Sequence, residues 1–151
     1  MDIKLIERQI RALAEASNEP IPMLANASAI LNEALSDINW VGFYLVKEGS
    51  LLLGPFQGKV ACVQIEEGRG VCGTALKEDR PQLVPDVHEF PGHIACDSAS
   101  ESEVVIPLHD ANGRVVAVLD IDSPIKNRFT QTDLDDLCLF TRILEAAVEW
   151  K

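Results

Sequence analysis

The sequence predicts an α+β domain, a central antiparallel sheet with N- and C-terminal helices packed on one of its faces. Three observations carry this expectation. Apolar residues recur at helical spacing near the start of the chain and again near its end. The middle is β-branched and aromatic, and short turns break it into hairpins, which imply antiparallel pairing. Helices at both ends then have a sheet face to cover.

The elements follow in order. Residues 3–16 place Leu5, Ile6, Ile10 and Leu13 at helical spacing. Residues 20–36 do the same with Met23, Leu24, Ala27, Ile30, Leu31 and Leu35, and Pro20 and Pro22 suit a first helical turn. NWVGFYLV (39–46), the turn KEGS and LLLGPF (51–56) read as a hairpin. KVACVQI (59–65) predicts a third strand, and GRGVCGTALKE (68–78) a glycine-rich loop leading into a short helix. QLVP (82–85) is a short strand, and residues 86–102 have no periodicity. EVVIPL (103–108), the turn DANG and RVVAVLDID (114–122) form a second hairpin. Thr130-x-x-Asp133 opens a last helix in capping-box style, and the pattern runs to Trp150.

Composition narrows the function classes. The 151 residues suit a single domain over 1–151, and an apolar content of 47% can fill one core. A net charge of −11 with scattered basic residues counts against nucleic acid. No apolar run is long enough for a membrane span, and MDIKLIERQI lacks the apolar centre of a secretory signal. The expectation is a cytoplasmic protein. Four cysteines stand at 62, 72, 96 and 138, with no CxxC pair. A reducing compartment disfavours static disulfides, which leaves core packing, metal ligation or redox chemistry.

Cys138 shares the last helix with Leu134, Leu137 and Leu144 and reads as core. Cys62, Cys72 and Cys96 flank glycines or irregular backbone. One such thiol can be oxidised and another can resolve it as a disulfide. The alternative is three structural cysteines. His88, His93, Cys96 and Asp97 are possible metal ligands, but they lack the paired spacing of structural zinc sites, and no metal or other cofactor is expected.

Trp40, Gly42 and Tyr44 share one strand face. Gly42 would leave a slot between two rings, suited to a soft sulfur or a methyl group. Core aromatics around a glycine kink are the alternative. Asp120 and Asp122 also share a face, and Glu103 can reach the same end of the sheet. Buried unpaired acids are costly, and a ligand's ammonium would relieve that cost. Backbone N–H groups around Ile94 and Ala95 can take a carboxylate. The implied ligand is a small amino acid with an oxidised or soft side chain.

These segments, NWVGFYLV, LLLGPFQGKVAC, GRGVCGTA, DVHEFPGHIACDSASESE and VLDIDSP, resemble the free methionine-(R)-sulfoxide reductases, which are stand-alone GAF-domain enzymes. The resemblance runs from about Asn39 to Pro124. It implies that Cys96 attacks the sulfoxide sulfur of free methionine-(R)-sulfoxide, that Cys62 resolves the resulting sulfenic acid, and that Cys72 assists in recycling by thioredoxin. It implies that Trp40 and Tyr44 hold the sulfoxide end and that Glu103, Asp120 and Asp122 bind and polarise the substrate. It also implies a homodimer. Sulfoxide reduction needs a proton on the leaving oxygen. Like charges on one face raise one partner's pKa, so Glu103, Asp120 and Asp122 are all candidates for the donor. A non-catalytic GAF sensor of a small ligand or of oxidation is the rival reading. The cysteines with the acid cluster, and the lack of an output domain in the sequence, count against it.

Overall fold

The computed structural model describes residues 1–94 and 97–151 and bears out the α+β expectation. Among the described residues there are four α-helices, α1 Ile3–Ala16, α2 Pro20–Ala34, α3 Gly70–Glu78 and α4 Gln131–Ala147, and six strands, β1 Trp40–Lys47, β2 Ser50–Gly58, β3 Gln64–Glu66, β4 Gln82–Val84, β5 Ser102–His109 and β6 Val115–Ser123. They form one sheet in the order β3-β2-β1-β6-β5-β4, and every neighbouring pair is antiparallel.

Strand alternation splits the sheet into two faces. Val41 and Phe43 of β1, Val104, Ile106 and Leu108 of β5, and Leu119 and Ile121 of β6 point to one side. There they pack against Ile6 and Ile10 of α1, Leu24 and Leu31 of α2, and Leu137, Phe140 and Leu144 of α4. This is the helix-covered face the sequence predicts. The other side carries Trp40, Tyr44, Val105 and Val118, and α3 covers it through Val71, Cys72 and Ala75.

Several boundaries differ from the sequence expectation, each for a local reason. Helix α2 ends at Ala34, two residues early, because Leu35 is extended and its N–H bonds the Leu31 carbonyl. Helix α4 ends at Ala147 because Val148 is extended and its N–H bonds the Leu144 carbonyl. Its start is the expected capping box, with Thr130 and Asp133 bonding reciprocally. The third strand covers only Gln64–Glu66, not 59–65. Side chains hold the backbone of the preceding segment instead: Trp40 Nε1–H donates to the Lys59 carbonyl at 3.1 Å and Tyr44 O–H to the Cys62 carbonyl at 3.0 Å. Part of the aperiodic stretch is a 3₁₀ turn over Val87–Glu89, capped by Asp86.

Candidate active site

The register of the sheet assembles the site. Glu103 of β5, Asp122 of β6 and Trp40 of β1 stand side by side in one cross-strand row. Val105, Asp120, Gly42 and Phe56 form the next row. Side chains directly opposite each other across strands are in contact range. The acids at 120 and 122 and the one at 103 therefore converge, as the sequence suggested. Glu103 and Asp120 are each only 6% exposed. Glu103 lies within side-chain hydrogen-bonding reach of both aspartates.

Burial decides the charge of this cluster. It pushes the carboxyls of Glu103, Asp120 and Asp122 well above the ordinary range, and their mutual repulsion pushes them further. Asp120 Oδ1 is buried and has no hydrogen-bond partner among the described residues. No lysine or arginine pairs with these three acids among the described residues. The nearest basic group is His93, whose Nε2 stands 3.7 Å from Glu103 Oε1. Burial lowers the His93 pKa, opposed by the charge of Asp120.

The aromatic wall differs from the expected slot. Trp40 stacks on Tyr44 at 5.9 Å and on Phe56 at 5.1 Å between ring centroids. The space above Gly42 is not open, since a Cβ there would come within 2.2 Å of Phe56 Cβ. Glycine is required because β2 brings Phe56 directly across from it. Three stacked rings therefore replace two rings and a gap. Burial, then the charge of Asp120, raises the Tyr44 hydroxyl far above its usual pKa, so it remains a hydrogen-bond donor.

Cys72 is corrected from a loop thiol to a helical one. It lies in the first turn of α3 and is buried. Its thiol group lies within 4.8 Å of oxygens of both Glu103 and Asp120. Burial and then Asp120 push its pKa well up, which keeps it protonated and weakly nucleophilic. Cys138 is a free thiol packed at the edge of the helix-side core. Cys62 is disulfide-bonded rather than free. Cys96 and Ala95, expected as nucleophile and as part of a carboxylate site, lie outside the described residues.

Trp40, Tyr44, Cys72, Ile94, Glu103, Asp120 and Asp122 all line one cleft. An aromatic wall with a few convergent polar groups is the usual make-up of a small-molecule site. Ile94 covers the start of α3, where Gly70 has a φ of +62° and a Cβ would meet Ile94 at 3.2 Å. Two residues at this site were missed as site residues. Asn39 donates to Asp97 Oδ2 at 2.9 Å and to Ser100 Oγ at 3.2 Å, so it ties β1 to the segment before β5. The sequence offers the His93 imidazole as a possible metal ligand, and nothing in the local pattern points it at Glu103. Cys72, Glu103 and Asp120 form a group of donors that can hold a metal ion, as do Asp86, His88 and Glu101 nearer the surface.

Comparison with known proteins places this arrangement. Residues 21–148 match the GAF domain family. The chain is 53% identical to the free methionine-R-sulfoxide reductase of Escherichia coli over 128 residues, covering 85% of this chain and 77% of the relative. The chain belongs to the free methionine-R-sulfoxide reductase family. The reduced form of the Staphylococcus aureus enzyme fRMsr superposes with a TM-score of 0.92 at 47% identity, covering 98% of this chain and 96% of that one. The Neisseria meningitidis free methionine-R-sulfoxide reductase in complex with its substrate gives 0.89 at 41% identity, covering 96% and 87%. The reductase family is thus represented here on a GAF fold, with a cleft between the sheet's second face and α3.

Proposed function

We propose that this chain is an oxidoreductase that reduces free methionine-(R)-sulfoxide to methionine, and that its whole length, 1–151, works as one GAF domain. The observation that carries the reading is the convergence of Asp122 with the buried Glu103 and Asp120 beside an aromatic wall in one cleft. The identity to named reductases supports it. Helix α1 lies outside the matched segment but packs into the shared core, which supports a single domain.

The chemistry follows from these residues. The sulfoxide sulfur is attacked by the Cys96 thiolate while a carboxyl on the site face protonates the sulfoxide oxygen. Glu103 is our choice of donor, because it is buried, raised in pKa and central to the acid cluster. Thiolate, one proton and sulfoxide become a cysteine sulfenic acid and methionine. The Cys62 thiol then attacks the sulfenic acid, forming a disulfide and releasing water. A thioredoxin dithiol exchanges with that disulfide, regenerating both thiols and leaving thioredoxin oxidised. Cys72, protonated beside Asp120, serves as an assisting thiol only after it becomes exposed. Trp40 and Tyr44 pack on the methyl-sulfur end of the substrate, and an aspartate of the cluster takes its ammonium group. Backbone N–H groups at Ile94 and Ala95 take its carboxylate. A peptide-bound methionine sulfoxide offers neither free charged end. The same resemblance supports a cytoplasmic homodimer.

The test is to incubate the purified protein with both free sulfoxide epimers and a thioredoxin system and to follow each epimer by chiral chromatography. Selective loss of the R epimer is expected. Loss of neither epimer from reduced protein would overturn the reading and favour a ligand-sensing GAF domain.

A further inference from the structure

Glu103 raises a problem that the catalytic cycle leaves open. Each reduction takes one proton from the donor carboxyl, and Glu103 is buried beside Cys72 of α3 and His93. Its direct neighbours, Asp120 and Asp122, are acids whose own protons are held by the same burial. That proton must be restored before the next sulfoxide is reduced, from solvent or from the regenerated Cys96 thiol as it ionises to the attacking thiolate.

His93 occupies the place that a route from solvent needs. Its side chain is 15% exposed where that of Glu103 is 7% exposed, and its Nε2 stands 3.7 Å from Glu103 Oε1. One bridging water or a small ring rotation closes that distance. Among the described residues lining the cleft it is the one imidazole. The charged groups and thiol that share the cleft with it are Arg69, Cys72, Asp97, Glu103, Asp120 and Asp122, and of these Asp120 acts on its charge.

We propose that His93 is a positioning and proton-relay residue that reloads Glu103 between turnovers. The imidazole takes up a proton and passes one from Nε2 to Glu103 Oε1, so the carboxylate becomes a carboxyl and the ring returns to its starting charge. The inference rests on the reductase reading. It adds a residue that touches the acid rather than the substrate.

The experiment compares wild type, His93→Gln and His93→Ala, with excess dithiothreitol as reductant so that protein recycling does not limit the rate. In His93→Gln the first methionine per enzyme should appear at the wild-type rate. Later turnovers should slow by about tenfold or more, the lower part of the range for positioned proton transfer. The KM for sulfoxide should stay unchanged. Added imidazole should restore steady turnover in His93→Ala, whose cavity admits it. Unchanged steady turnover in both variants would overturn the relay, as would a raised KM at constant kcat or a first turnover slowed as much as the later ones. Failure of imidazole to rescue a folded His93→Ala would count equally against it. An inactive wild type would instead sink the reductase reading, so the two failures are separable.

Discussion

The two faces of the sheet are built from the same strands and do opposite work. In β1, Val41 and Phe43 face the helices, whereas Trp40, Gly42 and Tyr44 face the cleft. In β6, Leu119 and Ile121 are apolar core, while the residues between and after them, Asp120 and Asp122, are acids. The helix face buries apolar side chains, and each contributes stability by leaving water. The site face buries carboxyls without a cationic partner, which opposes folding. One strand thus serves stability and chemistry at once, with period two separating them.

The largest expected effect breaks the site face alone. Glu103→Gln should lower turnover by about 10²–10⁴-fold, the usual contribution of a positioned general acid. Its thermal midpoint should not fall, since an amide replaces a buried acid. Steady-state kinetics with a melting curve checks both halves. On the helix face the pattern should invert. Phe140 is fully buried against the sheet, and Phe140→Ala should cost about 3–5 kcal/mol of stability. The activity of the molecules that remain folded should be kept, as denaturant titration with kinetics would show.

Gly42→Ala lies between these cases. Its new Cβ would meet Phe56 Cβ, so overpacking of about 1–3 kcal/mol is expected. A rise in KM should accompany it as the Trp40 stack shifts. Asp120→Asn sharpens the comparison through pH. The folded pKa of Asp120 is raised by burial and then by Glu103. Its favourable contribution is full below the unfolded value, near 3.9, and is lost as pH rises through the folded value. The variant escapes that loss, so its stability advantage over wild type should grow with pH. Denaturation midpoints across a pH series would show the trend or its absence. The smallest effect is Thr130→Ala, which removes half of the α4 capping box. A loss of about 1 kcal/mol is expected, with no change in turnover.

The division between the faces explains what the sequence could disclose. Period-two alternation in NWVGFYLV and RVVAVLDID gives both hairpins, and the shared face of Asp120 and Asp122 follows from it. Contacts that depend on exact strand register are not readable this way. Phe56 over Gly42 is one: the two strands form the expected hairpin, but its register shifts between Gly42 and Tyr44 and Phe56 fills the space expected as a slot. The 59–63 segment is another. It is β-branched enough to resemble a strand, but Trp40 and Tyr44 take its carbonyls. Cys72 looked like a loop thiol because glycines flank it, yet those glycines admit the tight start of α3. The approach of His93 to Glu103 depends on how the segment before β5 folds back, which no local pattern records.

The central claim is that the site face holds protonated carboxyl groups at neutral pH, ready to give a proton. Infrared difference spectroscopy of the protonated carboxyl stretch, recorded at neutral pH for wild type and Glu103→Gln, tests it most directly. The account predicts a buried carboxyl band in wild type that is diminished in the variant. A wild-type spectrum with only ionised carboxylates at neutral pH would contradict it.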